Sequence, residues 1–187
     1  MKHAITPDRL NETVGVLVRR EVEVRLLIPL LAALGDEFGQ DKVMEVFART
    51  IEDIAREQGR ETAERLGDNS LAAFETSLEA WTRSGAMERL PIETGEKLVR
   101  FDVTRCRYAE MYRELGAADI GFLFSCVRDR AWMEGFNPAV RMTRTRTIMQ
   151  GESRCDFCYE LTEGIAQQVS AQRPSLPLTP IFRYRKV

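Results

Sequence analysis

Histidine is nearly absent from this 187-residue chain, and the single one, His3, stands at its N-terminal end. That scarcity excludes an HExxH peptidase and a three-histidine zinc centre. It also excludes Ser-His-Asp or Cys-His catalysis unless His3 folds back. Long apolar runs are missing too, none approaching the ~18 residues that span a bilayer. The opening "MKHAITPDRLNET" lacks the apolar segment of a secretory signal. Nor is there an excess of one charge: 27 Lys and Arg against 29 Asp and Glu leave a formal net charge of −2, no field to attract nucleic acid or anionic lipid. These absences predict a cytoplasmic protein with neither nucleic acid nor membrane as a partner. Repeats and low-complexity linkers are absent as well.

What is present divides into two unlike halves within one expected domain, 1–187. From about 10 to 90 the pattern is helical. "VEVRLLIPLLAAL" has helical spacing with Pro29 as a kink or restart, Gly35 is placed like a C′ residue, and Asp36 like the N-cap of the next helix. In the following segment Val43, Phe47, Ile51 and Ile54 form one stripe, which Gly59 punctuates; Leu71, Phe74, Leu78 and Trp81 form another. From about 97 to 165 the period shortens. Val99, Phe101 and Val103 alternate with Arg100, Asp102 and Thr104, as in a half-buried strand. Short helices are predicted over Arg107–Leu115 and Ala118–Arg128. A hairpin follows, Val140–Met149 against Arg154–Leu161, with Leu98–Thr104 beside it. The fold class is α+β. The proline-punctuated tail, 173–187, is expected to be extended.

The chemistry rests on four cysteines, Cys106, Cys126, Cys155 and Cys158. In a cytoplasmic chain they are thiols, metal ligands or nucleophiles rather than a disulfide framework, and simple core packing suits any of them. Only one short-spaced pair exists, against the two knuckles of a zinc ribbon. On a regular strand Cys155 and Cys158 face opposite ways, Cys155 with Phe157 and Tyr159, Cys158 with Asp156 and Glu160. A bulge would be needed to turn both sulfurs to one side. Cys106 and Glu110, four apart, and Cys126 and Asp129, three apart, can each share a helix face. On the first hairpin strand Val140, Met142, Arg144, Arg146 and Ile148 share a face. An inward arginine there requires an anion, from the protein or from a ligand.

The stretch "RCRYAEMYRELGAADIGFLFSCVRDRAWMEGFNPAVRMTRTRTIMQGESRCDFCYEL" resembles the signature region of the L-2-amino-thiazoline-4-carboxylic acid hydrolase family. The matching positions are Cys106, Glu110, Gly116, Cys126, Asp129, Asn137, Pro138, Arg144, Thr145, Gly151, Cys155, Asp156 and Phe157. The resemblance implies hydrolysis of a small cyclic amidine or thiazoline at C–N or C–S, giving a carbamoyl amino acid. With histidine scarce, Asp129, Glu110 and a cysteine are left to handle protons, or Cys126 attacks the ring carbon directly with Asp129 managing the proton. The candidate catalytic residues are therefore Cys126, Asp129, Cys155 and Glu110, converging on one cavity between the short helices and the hairpin. Arg144, Phe157, Tyr159 and Asn137 are the candidate substrate contacts.

On this reading the partner is a small-molecule substrate and no cofactor is needed; a homo-oligomer is compatible with the sequence. A competing resemblance is to the 4-vinyl reductase type of ligand-binding domain. It would make Glu110, Cys126, Cys155 and Cys158 the ligands of a structural zinc in a non-catalytic small-molecule sensor.

Overall fold

The computed structural model describes residues 10–162; His3, residues 163–165 and the 173–187 tail lie outside the described residues. The architecture is α+β, a helical first half followed by short helices and a four-stranded antiparallel sheet. Among the described residues, no helix is long and apolar enough to cross a membrane.

A single turn, α1 (Leu10–Thr13), leads into α2 (Val16–Phe38). The buried positions of α2, Val16, Arg20, Val24, Ile28, Leu31 and Gly35, recur at helical spacing, and the second of them is an arginine. The other side of the helix exposes Val18, Val22, Leu26 and Leu30. The expected restart at Pro29 and break at Gly35–Asp36 are not found. Pro29 lies on the exposed face, where a lost backbone bond is tolerated, and α2 runs on to Gly39, whose φ of +89° makes the turn. Gly35 serves packing instead, since a Cβ there would lie 2.0 Å from the Gln40 side chain.

The next helix, α3 (Gln40–Leu66), buries Met44, Phe47, Ile51, Ala55 and Gly59, so the stripe is rotated from the expected one and Ile54 is exposed. Gly59 does not interrupt the helix. It is where α3 meets a later helix, α8 (Val127–Phe136), backbone against backbone. A Cβ on Gly59 would sit 2.0 Å from the Trp132 carbonyl oxygen, and one on Gly135 would sit 1.9 Å from the Arg56 carbonyl oxygen. Gly135→Ala is therefore expected to cost at least about 1–3 kcal/mol through overpacking, read as a lower urea midpoint. An unchanged midpoint would mean that the two helices can separate freely.

Two short helices follow, α4 (Leu71–Ser77), capped by the Ser70 hydroxyl, which accepts the Ala73 amide, and α5 (Glu79–Thr82). Leu71, Phe74 and Leu78 are buried as the periodicity predicts. The sheet then begins earlier than the sequence pattern suggests, with β1 (Met87–Thr94). It is an exposed edge strand carrying Pro91 and two register shifts, and an edge is where a sheet accepts proline.

The central strand β2 (Leu98–Cys106) leads directly into α6 (Arg107–Glu114), and α7 (Ala118–Gly121) follows. The helix expected over Ala118–Arg128 is longer. A π turn at Phe122–Cys126 joins α7 to α8 (Val127–Phe136).

The hairpin is shorter than expected: β3 is only Val140–Thr143, paired with β4 (Cys155–Leu161), and the sheet order is β1-β2-β4-β3. Strand geometry is lost after Thr143 because Asp156 accepts hydrogen bonds from the Thr145 amide (2.9 Å), the Arg146 amide (2.6 Å) and the Thr145 hydroxyl (2.6 Å). Arg146, expected to point inward with Arg144, is exposed as a result. The register of β2 with β4 is unbroken and sets Val99 opposite Tyr159, Phe101 opposite Phe157 and Val103 opposite Cys155. All six are buried on one face, packed against Phe74, Trp132 and Phe136 from the helices.

Candidate functional site

Between the inner face of the sheet and the helices lies a cavity of about 1020 Å³. Its walls come from α3 (Gln58, Thr62), α5 (Ala80, Trp81), β2 (Val103, Cys106), α8 with the preceding π turn (Ser125, Cys126, Arg128, Asp129, Trp132) and β4 (Cys155, Phe157). Trp81 and Trp132 meet edge to face at 5.4 Å between ring centres, giving the cavity an aromatic side. The π turn ends at Cys126, where the Val127 amide reaches back to the Phe122 carbonyl; such turns recur at functional sites.

Arg144 enters the cavity because the Asp156 hydrogen bonds pull the chain off the sheet just after β3. Its side chain is 9% exposed. One guanidinium nitrogen lies 2.5 Å from an Asp129 carboxylate oxygen, and another donates to the Cys126 carbonyl at 2.9 Å. The guanidinium carbon stands 4.9 Å from the centre of the Phe157 ring. Asp129 keeps 20% of its side chain open, and since it lines the cavity, that surface faces the cavity. Burial pushes its carboxyl above the ordinary aspartate range, against the opposing pull of Arg144, Arg128 and Arg20.

The thiols share this interior. Burial pushes Cys126 far up despite Arg144, and raises Cys106 to about 11. Burial also raises Cys155, whose sulfur accepts the Ile148 amide at 3.2 Å. All three stay protonated at neutral pH, and ionisation of one would be opposed by ionisation of another.

Of the residues expected from the sequence, Cys126, Asp129, Cys155, Arg144 and Phe157 line the one cavity. Glu110 does not. It lies on the outer side of α6, paired with Arg105 at 2.8 Å, which holds its carboxyl below the ordinary range. Cys106 is the last residue of β2 rather than a helical residue, so the four-residue spacing never placed it on a common helix face with Glu110. Asn137 is a turn residue, donating to the Asn69 carbonyl and accepting the Ala139 amide, and it lies outside the cavity lining. Tyr159 sits one layer behind the lining, 4.4 Å from Phe74, its buried hydroxyl without a hydrogen-bond partner among the described residues.

Cys158 alternates away from Cys155 on the regular strand. The alternative zinc ligands Glu110, Cys126, Cys155 and Cys158 are thus not brought together. Among the described residues no three His, Cys, Asp or Glu side chains are grouped to hold a metal ion.

Arg20, Arg128 and Gln58 line the cavity without belonging to the matching positions of the signature, and Cys106, which does belong to them, was not expected as a cavity wall. Arg20 did leave a signal, since it interrupts the apolar series Val16, Val24, Ile28 at the spacing of that series.

The model of the L-2-amino-thiazoline-4-carboxylic acid hydrolase family matches residues 19–159, which include Arg20 and every residue of the inner cavity discussed above. No curated protein matches the sequence. Among solved structures, the chain is similar to the phenol-responsive sensory domain of the transcription activator PoxR with phenol, at 13% identity over 73% of each chain and a TM-score of 0.45.

Proposed function

The chain belongs to the L-2-amino-thiazoline-4-carboxylic acid hydrolase family, and on that footing we propose that it opens a small cyclic amidine of the thiazoline type by hydrolysis. The observation that carries this reading is Asp129, a carboxylate clamped by Arg144 on one side and open to the cavity on the other. Its burial-raised pKa suits a general base working nearer neutrality than an exposed aspartate would.

Asp129 takes a proton from water as the oxygen adds to the ring carbon that carries both nitrogens and the sulfur. When the ring C–N or C–S bond breaks, the proton on Asp129 and the proton of the added hydroxyl pass to the ring nitrogen and the departing ring atom, and the hydroxyl becomes the carbonyl. The product is a carbamoyl amino acid, the ring plus one water. Arg144 keeps Asp129 ionised and aimed. The aromatic side formed by Trp81, Trp132 and Phe157 holds the flat ring and excludes bulk water.

Cys126 and Cys155 are neutral thiols against the same space. Their raised pKa values favour attack by water over attack by a thiolate, which needs a depressed pKa.

The test is incubation of purified protein with 2-amino-thiazoline-4-carboxylate, followed by mass detection of a product heavier by one water. Turnover is expected to persist in excess chelator and in Cys126→Ser. Loss in Cys126→Ser alone would favour the covalent route. Loss on chelation, with zinc in the purified protein, would favour the metal reading. Binding without product would leave a non-catalytic small-molecule binder.

A further inference from the structure

At the helical end of the cavity two arginines are buried together: Arg20 is 5% exposed and Arg128 8%, and both line the cavity. Their partners are unequal. Arg20 pairs with Glu23, a carboxylate it shares with Arg19. Arg128 donates to the neutral side-chain oxygen of Gln58 at 2.5 Å, and among the described residues it has no carboxylate of its own. The nearest acid along the chain, Asp129, is committed to Arg144. Burying a guanidinium beside a second one without a counter-ion is costly, and folds keep such an arrangement where something else supplies the negative charge. Burial, with the like charge of Arg20 beside it, outweighs the more distant pull of Glu23 and brings Arg128 down to about 9, which still leaves it a cation at neutral pH.

We propose that Arg128, with Arg20 beside it and Gln58 holding its orientation, is the subsite for a ligand carboxylate. A planar guanidinium facing a cavity matches a carboxylate through two parallel N–H···O bonds. Arg144 cannot take this role without releasing Asp129. The placement suits a compact ligand, because the Asp129 carboxylate is within electrostatic reach of Arg144, Arg128 and Arg20 together. An acid group on Arg128 therefore leaves the ring of an amino-acid-sized molecule over Asp129 and Cys126. Assigning the anion as the carboxylate of a cyclic amino acid rests on the ring-opening reading; the presence of an anion subsite does not.

Binding can be measured without turnover. The chain has two tryptophans, and both line the cavity, so their fluorescence reports occupancy. The probes are 2-aminothiazole-4-carboxylate, whose aromatic ring resists opening, and 2-aminothiazole, which lacks the acid. The carboxylate is expected to bind at least about tenfold more tightly to the wild-type protein, as one buried charge-assisted pair would give.

Gln58→Glu supplies Arg128 with an internal counter-ion. It is expected to raise the melting temperature without ligand, to lower affinity for the carboxylate probe at least about tenfold, and to leave the uncharged probe within about threefold. Arg128→Met should abolish the preference for the acid while keeping the unliganded protein at least as stable, because a lone buried charge is removed.

Equal affinity of the wild type for both probes, or a Gln58→Glu effect of the same size on both, overturns the subsite whatever the ring-opening assay gives. Absence of ring opening with this binding pattern intact overturns the reaction and leaves the subsite standing.

Discussion

Asp129→Asn is expected to lower the rate of ring opening by about 10²–10⁴-fold, the contribution typical of a positioned general base. Asparagine keeps the shape of the side chain and an oxygen for Arg144, so the variant removes the proton acceptor while preserving most of the cavity. The informative quantity is kcat on the folded fraction, with circular dichroism confirming the fold and tryptophan fluorescence confirming that the carboxylate probe still enters.

A pH profile adds an independent check. The wild-type rate should fall with acidification as Asp129 takes a proton. Because burial raises its pKa, that fall should be centred above the ~4 of an ordinary aspartate. A variant within threefold of wild type, or an acid limb unchanged by the substitution, would remove Asp129 from the chemistry and pass the role to a thiol.

How much of this site could be read before the fold was known depended on whether the signal was local. Strand periodicity is local, and it placed Cys155, Phe157 and Tyr159 on one face of β4 and Cys158 on the other, as the unbroken β2–β4 register shows. The three-residue spacing of Cys126 and Asp129 was likewise enough to put both in the cavity, with Asp129 one turn along α8. Arg144 was expected inward for a reason that does not operate. Strand parity ends at Thr143, and what turns Arg144 is Asp156, a residue of another strand, drawing the chain away from the sheet.

Glycine was ambiguous in the same way. Gly35 looks like a helix end, and only the neighbouring helix reveals that Gly39 makes the turn while Gly35 admits Gln40. Gly59 and Gly135 are necessary because they face one another's helices, information that neither segment contains alone. β1 hides because an edge strand needs no alternation, and Pro91 argues locally against it.

Arg144→Met should be among the more damaging single substitutions to stability and, unlike the glycine substitutions at the helix crossing, its cost should depend on pH. It strands Asp129 as a buried carboxylate without its cation, for which about 3–5 kcal/mol is expected near neutrality. In the wild-type protein Arg144 pulls the Asp129 pKa down against the upward push of burial, so its removal raises that pKa further. A carboxyl whose folded pKa lies above its unfolded value destabilises the fold when ionised. The penalty is complete above the folded pKa and is gone below the unfolded pKa of about 3.9.

Urea midpoints of wild type and variant should therefore lie far apart at neutral pH and draw together on acidification. Whatever activity the variant retains should show an acid limb moved to higher pH. Arg144→Lys should recover much of the stability and less of the ligand handling, because a point charge replaces a fork that also holds the Cys126 carbonyl and covers Phe157. Combining Arg144→Met with Asp129→Asn should cost clearly less than the sum of the two, since neither charge is then left alone. Additive losses, with a stability gap constant across pH, would mean that the two side chains meet without depending on each other, and the clamp on Asp129 would have no part in setting its proton affinity.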